Sequence, residues 1–294
     1  MNSPRSISLL VVLLAAAGLA SCGQRPANDA DSPAAPAATA AQASASTPII
    51  AAAPASAGTA ALPGDHASTA HFKIAITLPT LPAAAAPLSN ALRATADNAK
   101  RDFLKALPDP AQLPELANRQ FELRLDFRIA ANTQAFTSVR ETGMQDTGGA
   151  HPLPIEAGFV FDRKAGTLVR LDDLFTDPDA ARKALANFAH DTLLKKFMAE
   201  APKPGEGSPE ALREWKINMV QMLNDGTQPT SLNYSMFVVR AATDNGAPSP
   251  GITLIFPPYQ VAAYVYGTQT VDVPASVFAQ RLKPQYRGDF ASGS

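Results

Sequence analysis

The chain has 294 residues, with 25 Lys and Arg against 26 Asp and Glu, a formal net charge of −1 and one cysteine. That balance, without any run of like charge, argues against a nucleic-acid partner, which needs a concentrated basic face. With Cys22 as the single cysteine, no internal disulfide is possible and stability must come from core burial.

The first element is a targeting segment. Arg5 supplies a positive start, residues 7–17 an apolar stretch, and Leu19-Ala20-Ser21-Cys22 closes it with small residues before the thiol. The apolar run is well short of the roughly 20 residues that span a bilayer. The segment resembles a bacterial lipoprotein signal, whose lipobox ends at the cysteine that receives diacylglycerol. An ordinary secretory signal and an apolar helix with an incidental thiol are the competing readings. On the lipoprotein reading Cys22 is the lipidation site and residues 1–22 are the signal. Two or more acyl chains, palmitate among them, then make attachment to a membrane effectively permanent. Gly23 is not the aspartate that marks inner-membrane retention in many Gram-negative lipoproteins, so the resemblance implies the outer membrane, with the body in the periplasm.

Residues 23–68 are almost entirely Ala, Pro, Ser and Thr. Pro26, Pro33, Pro36, Pro48, Pro54 and Pro63 recur too often for an alanine helix to persist. Few large apolar groups offset the ordering entropy, so the segment reads as a disordered tether, about 35 Å long as a coil. It is either a tolerated linker or a spacer that lifts the body off a membrane.

Folded structure is predicted from His71. Phe72, Ile74, Ile76 and Leu78 alternate as in a half-buried strand, and Leu88, Leu92, Ala96, Phe103 and Leu107 carry helical spacing up to Pro108. Phe121, Leu123, Leu125, Phe127 and Ile129 alternate with Glu122, Arg124, Asp126 and Arg128, one buried face and one wet. Residues 134–141 pair with that strand, and 159–162 with 167–171 form a hairpin. Asp177-Pro178 opens a helix through Lys196, and Pro209 opens another that stops at Asn224-Asp225-Gly226. Strands are expected at 234–240, 251–256, 262–266 and 270–273, then a short helix over 274–282. The order implies an α+β fold of antiparallel sheets packed with helices, in two consecutive subdomains, 69–160 and 161–290.

Two stretches carry a resemblance. One runs Thr147-Gly148-Gly149-Ala150-His151-Pro152, then Gly158-Phe159-Val160-Phe161-Asp162 and Leu171-Asp172-Asp173-Leu174-Phe175; the other is Ile252-Thr253-Leu254-Ile255-Phe256-Pro257-Pro258-Tyr259, then Ala263-Tyr264, Gly267 and Val271-Asp272-Val273-Pro274. Together they resemble the extracytoplasmic region of RsiV-type lysozyme-binding anti-sigma factors and the non-catalytic accessory region of PdaC-type peptidoglycan deacetylases. The resemblance covers about residues 70–285. It makes 69–160 a PdaC-accessory-like part and 161–290 an RsiV C-terminal-like part. It implies an envelope receptor for lysozyme, or a module serving a wall-modifying enzyme. No cytoplasmic sigma-binding segment, membrane-spanning helix or metal-binding deacetylase domain is recognised beside it.

Within these motifs Gly148-Gly149 suits a tight reversal between strands. His151 either ties its loop to a backbone carbonyl or takes a catalytic or metal role. Tyr259 either buries its ring with the hydroxyl satisfied or forms an exposed stacking platform for sugar or a partner. His151, Tyr259 and Tyr264 are the candidate ligand-binding residues. No nucleophile elbow, paired-histidine zinc motif, phosphate loop or calcium loop is recognised; His66, His71, His151 and His190 are scattered. Adjacent Asp172 and Asp173 point in different directions, one of them capping a turn. The expectation is a lipid-anchored, non-catalytic envelope binding protein without cofactor or metal, recognising lysozyme or a peptidoglycan fragment. A structural lipoprotein holding other envelope proteins is the alternative, and a hydrolase with an unrecognised site is the weaker one.

Overall fold

A computed structural model describes residues 64–109, 118–203, 205–242 and 247–291. Cys22 and nearly all of the expected tether lie outside them. Folded structure begins earlier than the first alternating run: β1 (His66–Ser68) pairs antiparallel with β2 (Phe72–Thr77). The fold is α+β.

Helix α1 (Ala86–Ala106) follows β2, and the chain returns as β3 (Phe121–Asn132) parallel to β2. This is the one parallel pair in a sheet expected to be antiparallel; a helical crossover between two strands permits it. Then β4 (Phe136–Asp146), β5 (Leu153–Asp162) and β6 (Thr167–Leu168) add antiparallel, giving the order β1-β2-β3-β4-β5-β6. The inward residues of β3, Phe121, Leu123, Leu125 and Phe127, meet Leu88, Leu92, Ala96 and Phe103 of α1 in one core. Ile129 departs from this. A bulge between Ile129 and Ala131 shifts the register, so Ala131 is buried while Ile129 is 45% exposed.

The second core holds α2 (Pro178–Ala199), α3 (Pro209–Gly226) and a three-stranded antiparallel sheet of β7 (Phe237–Val239), β8 (Gly251–Phe256) and β9 (Gln269–Pro274). Phe136 and Val160 of the larger sheet reach into this core. The two sheets approach so closely that a Cβ on Gly158 would lie 2.1 Å from the carbonyl oxygen of Phe237. Both helices start as their caps dictate: Asp177 accepts from the Ala180 N–H at 3.0 Å and Ser208 from that of Ala211 at 3.1 Å.

Four expected elements differ. Helix α3 runs on to Gly226, which fits because its missing side chain leaves room for the backbone of Gln260. Residues 262–266 are not a strand. Tyr264–Tyr266 is a single 3-10 turn closed by Gly267 at φ 63°, and β9 pairs directly with β8. Residues 274–282 form two 3-10 turns, Ala275–Val277 and Ala279–Arg281, because Phe278 at φ −129° breaks the helix to bury its ring. The strand expected over 234–240 is regular only in β7. Tyr234 is instead a buried ring whose hydroxyl donates to the Thr227 carbonyl at 2.8 Å, and burial pushes that phenol well above its ordinary range.

Candidate functional site

The loop between β4 and β5 begins at Asp146. Its carboxylate accepts from the Gly148 N–H at 2.9 Å and pairs with Arg119 at 2.8 Å; burial works against ionisation, but these bonds outweigh it and hold the group below its ordinary value. Gly148 takes φ 96°, which a residue with a Cβ adopts only under strain, and the chain turns back to present His151 and Pro152.

The facing loop leaves β8 at Pro257-Pro258. Gln260 anchors it, its side-chain amide donating to the carbonyls of Gly226 and Asn233, both at 3.0 Å. A tight turn is closed by the Tyr259 N–H on the Ala262 carbonyl at 3.0 Å. Tyr259 sits at φ 70°, alone among non-glycine residues of the described chain. A β-carbon there costs on the order of 1–2 kcal/mol.

These loops bring together three residues that are up to 113 positions apart in the chain. His151 stacks on Tyr264 with ring centroids 4.0 Å apart and planes at 23°, while Tyr259 lies 5.7 Å from Tyr264 and 6.4 Å from His151. The polar tips bond to one another and to a single backbone carbonyl. The Tyr264 hydroxyl donates to the Pro152 carbonyl at 2.9 Å. His151 Nδ1 lies 3.2 Å from that same oxygen and so carries the ring proton, and Nε2 accepts from the Tyr259 hydroxyl at 3.3 Å. His151 thus ties its loop to a backbone carbonyl. Tyr259 does not bury its ring: it is 47% exposed. The result is a tilted aromatic shelf in which His151 and Tyr264 cover one another and Tyr259 is the exposed ring.

Behind the shelf, the Glu156 carboxylate is held by Arg140 at 3.1 Å and by the Thr268 hydroxyl at 2.9 Å. Glu141, one strand over on β4, is 1% exposed and its Oε1 has no hydrogen-bond partner. Burial, aided by the nearby negative charge of Glu156, raises its carboxyl to about 7. Sequence reading missed Glu141 because it placed the strand's end there. Its place two residues from inward-facing Val139 was the available signal.

The acidic pair separates. Asp173 accepts from the Arg170 N–H at 3.0 Å, whereas Asp172 pairs with Arg182 at 2.5 Å and accepts from Ser231 at 3.0 Å. His190 bonds Asn224 at 2.9 Å. Among the described residues no three ligating side chains cluster as a metal site, and no helix is long and apolar enough to cross a membrane.

Comparison with known proteins finds distant relatives and one matching domain. The peptidoglycan-N-acetylmuramic acid deacetylase PdaC of Bacillus subtilis (strain 168) is 25% identical over 199 residues, 68% of this chain and 37% of that protein, so the chain spans little more than a third of that relative's length. Among solved structures, a DUF3298 family protein from Pseudomonas aeruginosa PAO1 is 15% identical over 62% of this chain and 72% of its own, with a TM-score of 0.41. A member of the same family from Bacteroides fragilis NCTC 9343 is 16% identical over 68% of this chain and 69% of its own, with a TM-score of 0.43. Residues 172–276, from the Asp172 turn through β9 and including Tyr259 and Tyr264, match the family model described as protein of unknown function (DUF3298), so a DUF3298 domain is present in this chain.

Proposed function

We propose that this chain is a non-catalytic binding protein of the bacterial cell envelope, anchored through lipid on Cys22, whose shelf of His151, Tyr259 and Tyr264 docks the glycan of peptidoglycan. The observation that carries the reading is the shelf itself. Three rings from two loops are locked by bonds among their own polar tips and one carbonyl, and this leaves the Tyr259 ring, 47% exposed, as the aromatic face open to a ligand. Such a face suits the C–H face of a pyranose ring, which packs on an aromatic plane as any apolar group does. The left-handed backbone at Tyr259 supports the same view, since strain of this kind clusters at sites where a side chain must be aimed. Similarity to a relative named for peptidoglycan-N-acetylmuramic acid deacetylation supports a wall glycan as the ligand.

Glycine at 259 offers a clean test, because it relieves the backbone while deleting the ring. Tyr259→Gly should change folding stability by less than about 1 kcal/mol, the relieved strain offsetting the lost hydrogen bond. It should also reduce binding to soluble peptidoglycan fragments at least tenfold by titration calorimetry. Wild-type protein that binds no fragment at high micromolar concentration sinks the glycan reading. Lysozyme, the partner implied by the RsiV-type resemblance, is the second titrant, and saturable binding to lysozyme alone would move the site to a protein partner. The anchor is tested separately: an alkyne palmitate analogue should label the expressed chain, and Cys22→Ser should abolish the label.

A further inference from the structure

The C-terminal end of α3 is closed by side chains. The backbone carbonyls of residues 225–228 each accept from one. The Asn233 amide donates to Asp225 and Gln228 at 3.1 Å each, and the Tyr234 hydroxyl donates to Thr227 at 2.8 Å. Those donors come from the turn that follows the helix. The Gly226 carbonyl is taken instead by Gln260 at 3.0 Å, 34 positions along the chain and next to Tyr259. The same amide donates to the Asn233 carbonyl, also at 3.0 Å. A primary amide has two N–H donors, so both are committed, and to two different segments. The main chain is pressed against the same point, since a Cβ on Gly226 would lie 1.9 Å from the Gln260 carbonyl oxygen. Residue 260 is fixed by its backbone and by its side-chain tip.

On the other side of Tyr259, Pro257 and Pro258 are stiff at φ. The chain reverses between that dipeptide and the fixed Gln260. The reversal is recorded by the Gln260 N–H on the Pro257 carbonyl at 3.1 Å and the Tyr259 N–H on the Ala262 carbonyl at 3.0 Å. Tyr259 absorbs it at φ 70°, a region that a residue with a β-carbon occupies only where its surroundings over-determine it. Resting on the glycan reading above, we infer that Gln260 is the positioning residue of the shelf: its two hydrogen bonds, to the end of α3 and to the turn after it, hold Tyr259 in the left-handed backbone that displays the ring to the ligand. Both amide protons are spent on carbonyls, so Gln260 acts through Tyr259 and donates nothing to a sugar hydroxyl.

The experiment is native-state amide exchange on the full-length protein, read at residue 259, with binding of soluble peptidoglycan fragments as the second readout. Gln260→Met keeps the length of the side chain and removes both donors. It should lower protection of the residue-259 amide about tenfold or more while the α2 amides keep theirs. Glycine accepts φ 70° without strain, so adding Gln260→Met to Tyr259→Gly should leave protection within about threefold of Tyr259→Gly alone. Gln260→Met should also weaken fragment binding about fivefold or more although the Tyr259 ring is still present, because the ring is no longer pre-organised. Undiminished protection in Gln260→Met overturns the inference, and so does a loss that the α2 amides share. A loss of the same size in the Tyr259→Gly background overturns it too, since Gln260 then clamps the loop without any particular hold on Tyr259. Lost protection with unchanged fragment affinity breaks the link between this backbone and the ligand. Wild-type protein that binds no fragment removes the glycan reading alone, and the exchange readout then decides by itself whether Gln260 sets the Tyr259 backbone.

Discussion

At the scale of single residues, the carboxyl of Glu141 couples folding to pH. In the folded protein it keeps its proton up to about pH 7, whereas its ordinary value is 4.5. Between those two values the folded state binds more protons than the unfolded chain, so stability is greatest on the acid side and falls as pH rises through this window. The full span corresponds to about 3 kcal/mol. Glu141→Gln removes the ionisation and should flatten this part of the profile, making the variant more stable than wild type at pH 8 by about 2–3 kcal/mol in urea titrations. Near pH 5 the two should unfold alike; a wild-type profile that stays level from pH 5 to 8 would refute the assignment. Tyr259 shows the other way a residue can carry cost: its backbone is strained so that its ring is displayed. Both were hard to read in sequence for one reason. Burial and φ at a single position depend on which strand or loop comes to lie opposite, and nothing local to Glu141 or Tyr259 specifies that.

At the scale of elements, β3, α1 and α2 were legible because each repeats one chemical contrast over many residues. The inward Phe121, Leu123, Leu125 and Phe127 keep period two, and Ala181, Leu185, Ala189, Leu193 and Phe197 of α2 keep near-helical steps. The segments 262–266 and 274–282 were not legible. Their rings are committed one by one to different partners, Tyr264 to the shelf, Tyr266 to Trp215 and Phe278 to the core, so no periodic face forms. Strand β1 was missed because Ala and Ser lack any strand-like alternation. What fixes it is tertiary. The Asp65 carbonyl accepts from the Ile76 N–H at 2.9 Å, and its carboxylate holds Arg93 at 2.7 Å and the buried ammonium of Lys100 at 3.0 Å on α1. Partial burial opposes ionisation of Asp65, but the bonds to Arg93 and Lys100 outweigh it and keep the group below its ordinary value. The clamp is therefore present at neutral pH and lost only as pH falls through that lowered value. Asp65→Ala should loosen β1 by about 1–3 kcal/mol, quickening amide exchange over residues 66–76 about tenfold or more while the α2 amides keep their protection. Uniform exchange in the two proteins would show that Asp65 does not hold the strand.

At the scale of the whole molecule, two hydrophobic cores meet across the larger sheet, one under α1 and one shared with α2, α3 and the smaller sheet. The α+β class could be read from the order of periodic segments, and the two motifs could be read as a pair. What could not be read was that the motifs face each other, since that depends on Gly158 letting β5 and β7 approach and on Gln260 seating its loop on the end of α3. The Asp65 clamp has a further mechanical meaning. It sits at the open end of a two-strand hairpin, so tension arriving from the N-terminal side strains its bonds first and then the β1–β2 rungs one after another, as a zip opens. Residues 65–71, drawn straight, would span about 25 Å before either core felt the load.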